Sequence, residues 1–198
     1  MKQDKKDEGY ISNKYLRELI VKFNTMNIND TGEWCNAYER KLENKKLKQT
    51  IELEKYKLAK EFIQKKKKQI SDLHKKYEKF SEEERRAFNI EFDKLKKDIC
   101  DAFLKVINGR IISFKLIQTP AYEEVDDIRQ DCMMTLFMYI NRYDESRNSS
   151  AFAFVTQLIT NAINLYLNQM NERRDKEISG LDFYENLNTL DDPFNMDE

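Results

Sequence analysis

The sequence predicts an all-α fold, and two properties of the chain favour it. Four Gly and two Pro among 198 residues are too few for a β-sandwich or barrel, which needs a turn signal about every 8–12 residues. Apolar residues instead recur at intervals of three and four along most of the chain, which is the period of an amphipathic helix. We expect a compact helical domain, a long charged N-terminal helix or helical hairpin, and a flexible acidic C-terminal tail.

The side-chain inventory argues against several kinds of catalytic site. The one histidine, His74, lies in a charged segment, where a solvated position on a helix is expected. Cys35, Cys100 and Cys132 are far apart and form no CxxC pair, so neither a disulfide framework nor a zinc site is expected. We therefore expect no catalytic residues, no metal and no cofactor, and we do not expect an enzyme.

Neither bulk charge nor hydropathy indicates a membrane protein. With 35 basic and 36 acidic residues the net charge is −1, so any electrostatic preference depends on how the charges are distributed. The N-terminal residues do not resemble a signal peptide, and the longest apolar stretch, residues 132–140, is about half the length of a membrane span. A soluble intracellular protein is expected.

The N-terminal segment, residues 1–33, is predicted to contain one short amphipathic helix. This helix covers residues 10–28, with Ser12 or Asn13 as its N-cap. Turn-forming residues at positions 29–32 end it. Its apolar side consists of Leu16, Ile20, Val21 and Phe23.

Residues 34–80 are predicted to form one long Lys-rich helix. Between Lys41 and Phe80 there are 14 Lys against 6 Asp and Glu. A weak coiled-coil pattern, which the lysine run 65–68 interrupts, is also present. Its successive apolar positions are Tyr56, Ile63, Ile70 and Tyr77. Such a helix could follow phosphates, pack as one arm of a hairpin, or remain a solvated helix with a thin apolar stripe.

Residues 81–177 are predicted to form the main helical domain. Ser81 and Glu84 have the spacing of a capping box. They begin a helix with a strongly apolar face, and Gly109 is expected to be its C-cap. After it, a connection broken by Pro120 leads to the rest of the domain.

Two more helices and an acidic tail complete the predicted organisation. The helices cover residues 124–141 and 150–174, and the first has an inward side made of Ile128, Cys132, Leu136, Tyr139 and Ile140. The tail, residues 178–198, contains six acidic residues and no Lys or Arg. That composition is typical of disorder in the absence of a partner.

The least ordinary feature of the sequence is the uncharged stretch from Asn148 to Asn171. It has 24 residues without a charge in a chain that is 36% charged. Five amides recur at spacings of 4, 3, 4 and 3, which places them on one face of a helix: Gln157, Asn161, Asn164, Asn168 and Asn171. Asn is worse than Lys or Glu in a helix by several tenths of a kcal/mol, so helix stability does not explain this choice. The opposite face is predicted to be buried: Val155, Leu158, Ile159, Ala162, Ile163 and Tyr166.

A row of amides is suited to reading base edges, because Asn or Gln can pair bidentately with adenine. Phe152 and Phe154 precede the row and could stack on unpaired bases. Arginines on both sides could hold phosphates, namely Arg142, Arg147, Arg173 and Arg174. These residues favour capture of single-stranded DNA. The alternative is an Asn-rich surface with both Phe side chains in the core.

The order of short motifs in the second half of the chain resembles region 2 of bacterial sigma factors. The motifs are Asp127-Ile128-Arg129-Gln130-Asp131, Arg142-Tyr143-Asp144, Phe154-Val155-Thr156 and Ala162-Ile163. They follow the family pattern without a gap over about 40 residues. The chain most resembles the small late-transcription sigma factors of T-even-type phages, whose opening segment is also similar to residues 10–16. Residues 41–80 have no counterpart in that family.

The resemblance implies a polymerase-binding surface on a domain like sigma region 2. That surface would dock on the clamp-helix coiled coil in the largest subunit of core RNA polymerase. The matching residues are Asp127, Gln130, Asp131, Met134 and Phe137. An acidic and amide rim around apolar anchors suits a basic coiled coil, and plain core packing is the alternative for Met134 and Phe137.

The resemblance also implies a DNA-binding surface over residues 152–164. In the family this segment melts and reads the −10 region of the promoter. The paired Trp residues of housekeeping sigma factors are replaced here by Gln157 and Leu158. Phe152 and Phe154 would then be their substitutes, and capture of the non-template strand at an AT-rich element is the expected activity.

A tether at the C-terminal end is the third implication. The late phage sigma factors end in an acidic, hydrophobic peptide that binds the replication sliding clamp. Residues 180–185 look similar through Leu181, Phe183 and Tyr184, while residues 190–194 are a competing candidate and a solvated tail is a third possibility. Because a single short DNA contact is weak, a tether would raise its effective concentration.

The function expected from these observations is a promoter-specificity factor for phage late genes, acting in the cytoplasm of the infected bacterial host. Its expected partners are core RNA polymerase, promoter DNA, the phage sliding clamp and a late co-activator. Two alternatives remain open. One is a phage protein that occupies the same polymerase site and blocks the host sigma factor. The other is a coiled-coil structural protein that uses residues 35–80.

Overall fold

A computed structural model describes residues 11–116, 124–145 and 150–190, with side chains placed as far as residue 176. The described residues are all-helical, which confirms the predicted fold class. The helices are α1 (Asn13–Met26), α2 (Glu33–Leu47), α3 (Leu53–Glu78), α4 (Glu82–Ser113), α5 (Val125–Tyr139) and α6 (Ala151–Leu190). A short 3₁₀ helix, Ile140–Arg142, follows α5.

The main core lies between α1, α4, α5 and α6. Each of these helices contributes large side chains that are fully buried, among them Leu16, Ile20, Phe103, Ile107, Ile128, Leu136, Ile159 and Ile163. The helices α5 and α6 are antiparallel, since Cys132 lies against Ile159 while Glu124 lies against Tyr166. Residues from both ends of the chain therefore form one core.

The first turn of α6 is held by the start of α1. Asn13 Oδ1 accepts a hydrogen bond from the Phe152 backbone N–H at 2.9 Å and another from Ser150 Oγ at 2.8 Å. Ser150 Oγ in turn accepts from the Ala153 N–H at 3.2 Å. Ser12 caps α1 itself by accepting from the Tyr15 N–H. The two adjacent polar residues at the start of α1 thus cap two different helices.

The helix α4 confirms one sequence prediction and overturns another. The capping box between Ser81 and Glu84 is present in both directions. However, α4 continues through Gly109 to Ser113, so Gly109 is not a C-cap. The reason is that the apolar face continues past the glycine and buries Ile111 at the end of the helix. A glycine inside a helix costs only about 1 kcal/mol relative to Ala, which this burial offsets.

The Lys-rich segment is a hairpin and not one long helix. A turn at residues 48–52 separates α2 from α3, with Gln49 at a left-handed φ of 53°. Ion pairs show that the two helices are antiparallel: Lys67 contacts Glu39 at 2.6 Å, and Lys60 contacts Glu43 at 3.4 Å. The prediction of one uninterrupted helix over residues 34–80 is therefore wrong, and the hairpin alternative is correct.

The hairpin has a small apolar core of its own. Its buried side chains are Cys35, Leu42, Tyr56, Ala59 and Ile63. The first two positions of the predicted heptad pattern, Tyr56 and Ile63, are thus covered within the chain. A cluster of aromatic rings, Tyr77, Phe80, Phe88 and Phe92, joins the end of α3 to α4.

The hairpin also contacts the main domain near the end of the 3₁₀ helix. Lys66 lies near Asp144 and Glu145, and a small cavity in this region is lined by α1, α3 and residues 143–145. Burial lowers the pKa of Lys66, and the two carboxylates oppose that shift. A partly buried lysine thus lies near two acidic side chains where the hairpin meets the domain.

The C-terminal helix is longer than predicted. The sequence predicted an end near residue 174, but α6 continues to Leu190. Met170 is the last buried residue among those with placed side chains. Residues 191–198 lie outside the described residues. No helix among the described residues is long and apolar enough to cross a membrane.

Replacing Asn13 by Ala should destabilise the domain by about 1 kcal/mol, because both Ser150 and the α6 N-terminus lose their acceptor. Urea unfolding followed by circular dichroism measures the change. Asn36→Ala, at an exposed position on α2, is the matched control and should be neutral or slightly stabilising. Equal stability of the two variants would contradict the capping role.

Candidate nucleic-acid interface

The amide row faces solvent along α6. Gln157, Asn161, Asn164, Asn168 and Asn171 are all exposed, and on a helix of 3.6 residues per turn they lie within an arc of about 80°. Gln157 Nε2 donates to Asn161 Oδ1 at 2.9 Å. The opposite side packs into the core as predicted, and it includes Val155, Ile159, Ala162 and Ile163, which are buried, and Leu158 and Tyr166, which are half-buried.

The row is an uncharged surface with apolar side chains beside it. Leu165 lies on its edge and is 60% exposed. Leu165 was not among the residues predicted from the sequence. It follows Asn164 and therefore lies about 100° further round the helix, at the edge of the row. Amides beside an exposed leucine can hydrogen-bond and make apolar contact without the general attraction to phosphate that a lysine would bring.

The structure separates the two phenylalanines that precede the row. Both lie in the first turn of α6, where residues two apart point about 200° away from each other. Phe154 therefore lies beside the amide row, and Phe152 lies on the far side of the helix. Both rings are half-buried and pack on the core, and the Phe154 ring is 5.4 Å from that of Tyr143. An approaching base would meet the exposed part of Phe154 and not a pair of open rings.

The predicted arginines do not flank the row symmetrically. Arg142 is half-buried and lies over the Tyr139 ring at 4.3 Å. Arg173 is exposed, but it lies about 160° from the centre of the row, and Arg174 lies about 100° from it. Arg147 lies outside the described residues. Phosphate contacts on both sides of the row are therefore not built into this arrangement.

One face of α5 carries exposed side chains of the predicted polymerase-binding set. Asp127, Gln130 and Met134 are exposed, and Asp131 is half-buried. Phe137 differs, because its ring packs 5.7 Å from Phe23 and 5.8 Å from Phe103. The core-packing alternative is thus the correct one for Phe137 and not for Met134. The second exposed anchor is Met138, which the sequence analysis missed.

The two exposed methionines give this α5 face its apolar centre. Met134 is 53% and Met138 is 65% exposed, and they are one turn apart on the helix. Methionine is flexible and polarisable, which suits adaptable binding surfaces. We call the set Asp127, Gln130, Asp131, Met134 and Met138 the α5 face.

The amide row and the α5 face are separate surfaces. Tyr166, on the side of α6 opposite the row, donates a hydrogen bond to Glu124 Oε2 at 2.6 Å, just before α5 begins. Burial, the Glu124 contact and the charges of Asp127 and Asp131 raise the pKa of Tyr166 to about 12. The helix α5 therefore packs against α6 away from the amides, and the two surfaces share no residue.

The cysteines and the histidine lie in environments that do not favour nucleophilic catalysis or metal binding. Burial raises the pKa of Cys35 to about 11 and that of Cys132 to about 12, which disfavours the thiolate a nucleophile needs. His74 is half-buried on α3, and its Nε2 has no hydrogen-bond partner among the described residues. In the part of the chain that the structure describes, no group of three or more His, Cys, Asp or Glu could hold a metal ion.

The predicted clamp-binding residues have only their backbone described. Leu181, Phe183 and Tyr184 lie within α6, and their side chains are outside the described residues. The competing candidate, residues 190–194, begins at the last residue of α6 and otherwise lies beyond the described residues. The tail hypothesis therefore stays a prediction from the sequence.

No protein-family model, no curated protein and no solved structure matches this chain. The likeness to sigma region 2 rests on the order and spacing of the motifs alone. The two separate surfaces, the amide row and the α5 face, carry the functional inference.

Proposed function

We propose that the protein is a promoter-specificity factor for RNA polymerase, similar to the late sigma factors of phages and acting in an infected bacterium. It binds the core enzyme and captures the non-template strand of an AT-rich element of the −10 type. The observation that carries this proposal is the solvent-facing amide row of α6, which lies within the uncharged stretch of residues 148–171.

The chemistry of the amide row favours recognition of base edges over general attraction to phosphates. Asn and Gln pair bidentately with adenine, and one good pair gives about 1–3 kcal/mol of discrimination between bases. Lysine would bind any phosphate backbone instead. Elsewhere the chain is rich in Lys and Glu on exposed helix positions. Amides at five solvent-facing sites therefore support a sequence-reading role.

The surroundings of the row favour capture of an open strand over active melting. Leu158 is half-buried against the core, Gln157 bonds to Asn161, and Phe152 lies on the far side of the helix from Phe154. Among the described residues the row therefore presents no pair of large rings that could wedge between bases. Phe154 alone lies beside the row. Unstacking costs least at AT-rich steps, and the polymerase would supply most of the opening.

The α5 face supplies the proposed contact with the polymerase. Its two exposed methionines are bordered by the acidic Asp127 and Asp131. Apolar anchors with an acidic rim complement a basic coiled coil. Because this surface is separate from the amide row, one molecule can bind polymerase and DNA together.

The acidic C-terminal segment supplies a second tether under this proposal. Residues 178–198 contain apolar and acidic side chains and no Lys or Arg, which suits a peptide that binds the phage sliding clamp. A weak DNA contact gains from such a tether through effective concentration. A late co-activator belongs to the same proposal.

The rival functions differ in the surfaces they need. An inhibitor of the host sigma factor would use the α5 face without the amide row. A coiled-coil scaffold would need an exposed apolar stripe on α3, but Tyr56 and Ile63 are buried inside the hairpin. Run-off transcription with core polymerase separates the proposed specificity factor from the inhibitor, since only a specificity factor yields new promoter-dependent transcripts.

Replacing both Asn161 and Asn164 by Ala should reduce promoter-dependent transcription at least tenfold, because two base-reading contacts are lost. Binding to core polymerase, measured by fluorescence anisotropy, should not change. Asn36→Ala with Asn44→Ala removes two exposed amides from α2 and is the matched control. Normal transcription by the Asn161/Asn164 variant would count against base reading.

Met134→Arg should weaken binding to core polymerase at least tenfold, because a positive charge is placed at the centre of a surface that meets a basic coiled coil. Biolayer interferometry with immobilised core enzyme measures this. Ile90→Arg, at a 71% exposed position on α4, makes the same kind of change elsewhere. An equal effect of the two substitutions would remove the α5 face from the proposal.

Deleting residues 180–198 should leave basal initiation intact and abolish stimulation by a loaded sliding clamp, because only the tether is lost. Run-off transcription with and without the clamp measures both quantities. If the truncated protein is stimulated as strongly as the full chain, the tail does not bind the clamp.

A further inference from the structure

Positive charge is concentrated in the hairpin formed by α2 and α3. Between Glu33 and Phe80 there are 15 Lys and Arg against 8 Asp and Glu, a local balance of +7 in a chain whose net charge is −1. The rest of the chain is therefore net acidic. The hairpin therefore attracts negatively charged partners, although the net charge of the whole chain is close to zero.

Part of this charge is used to hold the hairpin together. Glu39 and Glu43, both on α2, are paired with Lys67 and Lys60 on α3. Lys46 lies over the Tyr56 ring at 4.7 Å. These contacts lie along one side of the hairpin, so they leave the outer surface of α3 unaffected.

A row of three lysines runs along that outer surface. Lys57, Lys68 and Lys75 are exposed, and none of them is in an ion pair among the described residues. Their spacings of 11 and 7 residues bring them within about 20° of one direction over about 27 Å of helix. We call them the lysine row. Glu61 and Asp72 border it on one edge.

The lysine row lies on the same helix as the contact between hairpin and domain. Lys66 lies near Asp144 and Glu145, and Tyr143 packs against Phe154 at the start of α6. Lys66 lies about 160–180° round α3 from the lysine row. The row therefore faces away from this contact and is open to solvent.

We propose that the lysine row binds the phosphate backbone of duplex DNA. Its length of about 27 Å spans about four-fifths of one turn of B-DNA, which is about 34 Å. Between the lysines the same line carries Gln64 and Ser71 and no apolar side chain. Protein interfaces concentrate their binding energy in a few buried anchor side chains, and none lies between these lysines, so duplex DNA is the better fit. This duplex binding does not rest on the proposed function.

The test is the salt dependence of binding to a duplex of random sequence. The full chain carries Lys57→Gln, Lys68→Gln and Lys75→Gln, and fluorescence anisotropy gives the affinity across a salt series. The slope of log K against log salt should fall by about 2–3, because each lost phosphate contact removes about 0.9. Circular dichroism confirms that the variant folds.

A control variant makes the same charge change elsewhere. Lys94→Gln, Lys97→Gln and Lys105→Gln remove three exposed lysines from α4 and should leave the slope unchanged. An unaltered slope in the hairpin variant, an equal loss in the control variant, or no duplex binding by the unmodified protein would each overturn the proposal.

Two further measurements distinguish this proposal from strand capture by the amide row and from binding of an acidic protein. Asn161→Ala with Asn164→Ala should bind the random duplex as the unmodified protein does, so failure of strand capture and failure of duplex binding are distinguishable. Polyglutamate stands in for an acidic protein. If the hairpin variant loses polyglutamate binding and keeps duplex binding, the lysine row serves a protein partner and the proposal is wrong.

Discussion

The burial of one side of α6 sets the orientation of everything else on that helix. Ile159 and Ile163 are fully buried in the core that α6 shares with α1, α4 and α5. Because each residue turns a helix by about 100°, this anchoring also fixes the amides on the opposite side. Rotating α6 by one residue would move amides toward the core, where each unpaired polar group costs about 1–3 kcal/mol. The solvent-facing amide row is thus a consequence of core packing.

The chain has three surfaces that differ in charge. The amide row is neutral and suits base edges, the α5 face is acidic with apolar anchors, and the hairpin is basic. Tyr166 and Glu124 hold α5 on the side of α6 away from the amides. Under the proposed function each surface would make a weak contact by itself, and several weak contacts on one body reinforce one another through effective concentration.

The hairpin shows how a charged segment obtains a defined position. Its few apolar side chains are used between α2 and α3, and its glutamates pair across the same seam. The remaining contact with the domain places Lys66 near Asp144 and Glu145. The apolar stripe of α3 is covered by α2, and the exposed lysines face solvent, where a polyanion can reach them. In an intermolecular coiled coil the apolar stripe would instead be covered by another chain.

The sequence by itself determined the helical class, the buried stripe of each helix, the capping box at Ser81 and the common face of the amides, because period and capping are local properties. The tertiary structure decided what depends on distant partners. It broke the Lys-rich helix at a turn without Gly or Pro, continued α4 through Gly109, and turned Phe137 into the core. It also joined Asn13 to the start of α6, 139 residues away. Such contacts follow from how whole helices pack, and no local pattern encodes that packing.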